Sequence, residues 1–112
     1  MINGAHVVLY SRDAEADKAF IRDVLKFSYV DVHAGWLIFK LPPSEVAVHP
    51  SDENDIQEFY LMTDDLDGEI AQLEKAGIGC EEVTRQAWGR LTRIKLPGGG
   101  MLGLYQPRHE RP

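Results

Sequence analysis

The sequence predicts an α+β fold: two βαβββ modules in tandem, forming a curved, mostly antiparallel sheet around a cleft. Three observations predict it. The chain repeats its own pattern at an offset of about fifty residues, a period that decides architecture. Residues 57–77, QEFYLMTDDLDGEIAQLEKAG, have the shape of residues 5–25, AHVVLYSRDAEADKAFIRDVL; His6 falls on Glu58, Tyr10 on Met62, Asp13 on Asp65 and Ile21 on Leu73. Both copies run from a short apolar strand into a helix preceded by an aspartate. Further on, Trp36 falls on Trp88, and Lys40-Leu41-Pro42 matches Lys95-Leu96-Pro97 after a small insertion.

Taken in order, residues 5–10 are a short apolar strand, with His6, Val8 and Tyr10 on one face. Asp13 caps a helix over 14–25, which puts Ala16, Phe20 and Val24 on one stripe. Residues 27–32 read as a strand, and His33-Ala34-Gly35 as a turn with Gly35 available for positive φ. The run WLIFKL over 36–41 is a second hairpin strand, ended by Pro42-Pro43 because proline cannot donate to a ladder. EVAVH over 45–49 is the module's last strand. PSDEND over 50–55 is a polar linker. The pattern then restarts: a strand over 58–63, Asp65 capping a helix over 66–76, and Gly77 placed as the residue that closes the helix. Residues 79–85 are a strand, 86–89 a turn, and RLTRIKL over 90–96 alternates as a half-buried strand does. Pro97-Gly98-Gly99-Gly100 is a hairpin loop, and 101–105 closes the sheet. The glycines precede a strand, so no helix N-terminus is there to hold a phosphate. Module one is therefore expected over about 2–50 and module two over about 56–106, one domain spanning 1–107 with a loose tail at 108–112.

Bulk properties restrict the partners. At 112 residues with 44% hydrophobic content the chain is one ordinary globular domain. It can bury roughly two-thirds of its unfolded surface, enough to fold without disulfide or metal. The formal net charge of -6 argues against nucleic acid and against an anionic membrane surface. Cys80 is the single cysteine, which fits a reducing compartment, and no apolar run is long enough to span a bilayer. The N-terminal MINGAHVVLYSRD lacks the charged and apolar regions of a signal peptide, so a cytoplasmic location is expected. Cys80 is flanked by Glu81 and Glu82, which would raise its pKa, so it reads as structural. The acidic run 52–55 reads as a solvated linker.

The strand-to-helix entry at 58–65 and the ending LPGGGMLGLYQP resemble the vicinal oxygen chelate superfamily, which includes glyoxalase I, bleomycin-resistance proteins and extradiol dioxygenases. The resemblance runs from about residue 2 to 106. In the family's metal-using members, the first and last strands of each module supply one ligand apiece. The resemblance places those positions on His6, on Ala47 or Val48, on Glu58 and on Gly103. Two of the four cannot bind a metal, and His49 could substitute at the second only with a shifted register. His6 and Glu58 would face each other across the cleft, as a residual metal pair or as a polar pair in a binding site. Tyr10, Tyr60, Met62 and Tyr105 share the cleft-facing pattern, and Trp36 and Trp88 stand at its rim, a lining suited to a flat organic molecule.

The reading preferred from this is a metal-independent binder of a small, aromatic molecule, with no cofactor. The alternative is a glyoxalase- or dioxygenase-type enzyme using a divalent metal in a non-standard shell of His6, Glu58 and His49. A third is a cleft filled by its own side chains in a protein that serves only in assembly. The resemblance also implies a homodimer.

Overall fold

The second half of the chain folds as a complete βαβββ unit, and the first half packs a helix against it and forms a separate hairpin. The computed structural model describes residues 6–45, 47–48 and 50–112. Its elements run α1 (Ala14–Asp23), β1 (Tyr29–Asp31), β2 (Leu37–Phe39), β3 (Tyr60–Met62), α2 (Leu66–Lys75), β4 (Thr84–Gln86), β5 (Gly89–Lys95) and β6 (Met101–Pro107). One sheet has the order β3-β6-β5-β4; β1 and β2 form a separate antiparallel pair. In the larger sheet only β3 and β6 are parallel, joined through the α2 crossover; the remaining pairs are antiparallel. The class is α+β with a mixed, mostly antiparallel sheet, as expected.

Both helices start where the aspartates predict. An Asp13 carboxylate oxygen accepts from the Ala16 N–H at 3.1 Å, and Asp65 accepts from Gly68 N–H at the same distance. Each satisfies one of the amides that a helix start leaves without a partner. The ends differ. Gly77, at φ +80°, closes α2: Ile78 N–H reaches the Leu73 carbonyl at 2.9 Å and Gly77 N–H reaches Glu74 at 3.0 Å. This double closure needs a left-handed residue, which glycine adopts without steric cost. At the end of α1 the left-handed position falls on Lys26, at φ +61°.

The core gathers Leu66 and Leu73 of α2, Ile94 and Leu96 on and after β5, Leu102 and Leu104 of β6, and one residue of α1, Phe20. Period-two alternation sends Thr92 and Ile94 to the helix side and Leu91, Arg93 and Lys95 to the other. Burying each Leu or Ile side chain contributes roughly 1.5–3 kcal/mol. Asp17 of α1, itself buried, accepts from Gly98 N–H at 2.7 Å, so the Gly98–Gly100 loop seats against α1 rather than holding a phosphate.

Three expected strands come out differently. Residues 6–10 form no strand, and neither do Glu45, Ala47 and Val48. A strand exists only in a ladder, and the parallel pairing that β3 and β6 make in module two has no counterpart here among the described residues. Val7, Val8, Leu9 and Val48 are exposed. The expected strand 79–85 shortens to Thr84–Gln86. Cys80 still pairs with Ile94, but Thr84 pairs with Leu91, so the register slips by one residue between them. That slip is a β-bulge, which interrupts the ladder and turns the strand.

Candidate functional site

The open face of the four-stranded sheet, away from α2, carries the site. The register sets Tyr60 beside Gly103, Met62 beside Tyr105, Leu91 beside Tyr105 and Arg93 beside Gly103. Gly103 decides the geometry. A Cβ there would lie 2.2 Å from the Tyr60 ring, so the ring lies flat over the glycine and would be lifted by any side chain.

Three aromatic rings meet on this floor. Tyr105 is edge-on to Tyr60 at 5.5 Å and to Trp88 at 5.4 Å, and Tyr60 faces Trp88 at 6.5 Å. The edge-to-face arrangement matches each ring's positive rim to a negative face. Trp88 is delivered by the two-residue turn between β4 and β5, where Gln86 pairs with Gly89, and Arg108 N–H holds its carbonyl at 2.8 Å. Gly89 is required there, because a Cβ would meet the Gln106 carbonyl oxygen at 2.5 Å.

Carboxylates stand at two edges of the aromatic floor. Tyr60 O–H donates to Glu58 at 2.7 Å. Tyr105 O–H lies 3.4 Å from Glu45 Oε2 and 3.2 Å from His109 Nε2. Burial raises both phenols above the usual tyrosine pKa; the hydrogen bond to Glu58 adds for Tyr60 and the charge of Glu45 for Tyr105. Beside Tyr60 an open groove of about 370 Å³ is lined by Glu58, Glu81, Thr84, Leu91 and Arg93. The Arg93 guanidinium is engaged by Glu81 through two hydrogen bonds.

Of the residues proposed from sequence, Tyr60, Trp88 and Tyr105 come together, with Met62 half-buried on the same face. Tyr10 and Trp36 lie apart from them, 94% and 64% exposed; Tyr10 lines a shallow depression with Ser11, Arg12 and the Gly98–Gly100 loop. His6 is exposed, and His49 lies outside the described residues. Cys80 has a raised pKa, as expected, but burial is the main cause and Glu74 the carboxylate that adds to it, not Glu81 or Glu82.

Glu45, His109 and the Leu91/Arg93 edge were not singled out as site residues, and Gly103 was singled out only as a ligand position without a donor. Leu91 and Arg93 were legible in the alternation of RLTRIKL. Glu45 was legible as the one charge in an otherwise apolar run, and Gly103 as a glycine inside a strand, the mark of a close approach.

The four positions at which the family's metal-using members carry ligands do not make up a metal shell here. Ala47 and Val48 have no donor, Gly103 has none and lies under the Tyr60 ring, and Glu58 holds the Tyr60 hydroxyl. Among the described residues no three His, Cys, Asp or Glu side chains converge. No described helix is long and apolar enough to cross a membrane.

No protein-family model matches the chain. No curated protein matches it either. Solved structures do. It is similar to TnmS3, an antibiotic binding protein from Streptomyces sp. CB03234, at 25% identity and TM-score 0.66, over 96% of this chain and 99% of that one. It is similar to a glyoxalase/bleomycin resistance protein from the same organism at 26% identity and TM-score 0.58, over 84% and 91% of the two chains. A lactoylglutathione lyase from Agrobacterium tumefaciens shares the fold at 20% identity and TM-score 0.63, over 93% and 92%. With a sheet and crossover helix of this form, the chain has the fold of its glyoxalase and bleomycin-resistance neighbours, a likeness consistent with the vicinal oxygen chelate superfamily.

Proposed function

We propose that the protein is a metal-independent binder of a small, flat aromatic molecule, which it holds on the Tyr60/Trp88/Tyr105 floor. The observation that carries this reading is Gly103. Where the family's metal-using members place the last ligand, this chain has no side chain, and an aromatic ring lies in its space. Rings in this arrangement offer faces and edges for stacking, and Glu58 and Glu45 offer polar contacts at the margin. The similarity to an antibiotic binding protein supports a binding role over catalysis. Tight metal coordination would need three or four protein ligands, and this set supplies fewer.

The protein acts in the cytoplasm, as a homodimer. The exposed apolar side chains of the first half, Val7, Val8, Val30 and Val48 among them, are the surface a second copy would cover.

The test uses chelator-treated protein. Flat aromatic compounds are titrated while tryptophan fluorescence is read, in the Trp36→Phe background so that Trp88 is the single reporter. Saturable quenching that is lost in Tyr60→Ala and indifferent to added Zn²⁺, Ni²⁺, Mn²⁺ or Fe²⁺ is expected. A metal that raises the melting midpoint by on the order of ten degrees, with His6→Ala abolishing the shift, overturns the reading in favour of a metal-dependent enzyme.

A further inference from the structure

The C-terminal residues fold back onto the site. The His109 ring lies tilted against Tyr105 at 6.1 Å between centroids, and its Nε2 is 3.2 Å from the Tyr105 hydroxyl and 3.6 Å from Glu45. Arg111 Nε stands 3.8 Å from the other oxygen of Glu45. Glu45 comes from the first half of the chain, and Tyr105, His109 and Arg111 from the last strand and the tail that follows it, so two distant segments meet at one end of the aromatic floor.

The chemistry of this meeting is specific. His109 Nδ1 lies 2.9 Å from the Glu110 carbonyl oxygen, which can only accept, so Nδ1 carries a hydrogen. Nε2 then meets the Tyr105 hydroxyl, and the Arg111 guanidinium brings a fixed positive charge beside Glu45. A planar nitrogen ring against Tyr105 and a planar guanidinium beside Glu45 thus share this corner, the two features a flat ligand with a planar nitrogen cation would combine. Other charges nearby leave the corner acidic: Arg93 is taken by Glu81, and Glu58 stands at the far edge of the floor. The His109 and Arg111 nitrogens both lie farther from Glu45 than the 2.7–2.9 Å of a well-formed charged hydrogen bond, so the tail is held loosely.

Resting on the binding role proposed above, we propose that His109 and Arg111 are an internal stand-in for the ligand, which carries a planar amidine-, guanidine- or imidazole-type cation on its flat ring. Glu45 and the Tyr105 hydroxyl determine that specificity. The tail occupies their corner in the free protein and leaves when the ligand enters.

The test compares the full chain with one ending at Arg108, which keeps the Arg108–Trp88 hydrogen bond, both in the Trp36→Phe background. The probes are benzamidine, a planar amidinium, and benzamide, its neutral analogue, with Trp88 fluorescence as readout. If the tail fills the corner nine-tenths of the time, removing it tightens benzamidine binding about tenfold and leaves benzamide unchanged. Glu45→Gln in the shortened chain abolishes that gain. Shortening that leaves benzamidine unchanged or weaker, or a gain that Glu45→Gln does not remove, overturns the inference. Equal binding of benzamide and benzamidine in both chains overturns it too, while leaving the aromatic binding role standing. Failure of every flat compound to bind either chain overturns both.

Discussion

The two halves of this chain carry the same local signals and reach different structures. Asp13 and Asp65 cap their helices with the same geometry, and each helix leads toward a hairpin. Yet the second half supplies six of the seven core residues and closes its sheet by pairing β3 with β6. The first half contributes Phe20 to that core and leaves Val7, Val8, Val30, Val32 and Val48 exposed. Caps and turns are local and form wherever their residues occur. A ladder between the first and last strands of a module must close a loop of some forty residues, and that entropy is recovered only if the paired strands then bury a face. Leu102 and Leu104 do so for module two.

The largest effect expected from this comparison is in the core. Leu66→Ala or Ile94→Ala should destabilise by about 2–5 kcal/mol in urea unfolding. With the protein diluted to its monomer, Val8→Ala or Val30→Ala should cost less than about 0.5 kcal/mol. Equal costs would mean that the first half is as well buried in solution as the second.

Next in size is the floor of the site. Gly103→Ala drives a methyl into the Tyr60 ring and should cost about 1–3 kcal/mol, with a change in Trp88 emission. Gly100→Ala in the neighbouring loop meets nothing within 4 Å and serves as the near-neutral control. If the two variants behave alike, Tyr60 does not lie on Gly103.

The helix ends can be exchanged. Lys26→Gly relieves a left-handed lysine and should stabilise by about 1 kcal/mol; Gly77→Lys should lose about as much. Thermal melts of both variants make the comparison direct.

The smallest effect is a pH dependence confined to the second half. Tyr60 and Tyr105 have raised pKa values in the folded protein, mainly through burial. The folded state therefore holds their protons more tightly than the unfolded state. Their contribution is fully present below the usual tyrosine pKa of about 10 and is lost as pH rises through the folded values. Phenolate absorbance should show a late-titrating fraction that shrinks in Tyr60→Phe and again in Tyr105→Phe. An unchanged curve would mean that the rings are not buried together.

Much of this was legible without coordinates. The helix starts at Asp13 and Asp65 and the stop at Gly77 follow from side chains acting on amides a few residues away. Tyr60 and Tyr105 could be chosen because period-two alternation fixes which face a strand residue takes, and Trp88 because the repeat sets it opposite Trp36. Tyr10 and Trp36 lie elsewhere: Tyr10's segment forms no strand, and Trp36 belongs to a hairpin that pairs only with itself. Nor could alternation foresee the one-residue slip between Cys80 and Thr84, since a bulge depends on the partner strand as much as on its own residues.

The sequence by itself determined the class, the repeat, the caps and the turns, together with the absence of donors at the family's ligand positions, because each depends on residue identity or on contacts within one turn. Only the tertiary structure decided that the Tyr60 ring fills the space above Gly103. It alone brought Glu45, Tyr105 and His109 to one corner, and it alone left residues 6–10 and 47–48 outside any ladder. Those outcomes join residues some forty to sixty positions apart. Contacts at such separation are set by which faces find burial together, and no local propensity encodes that.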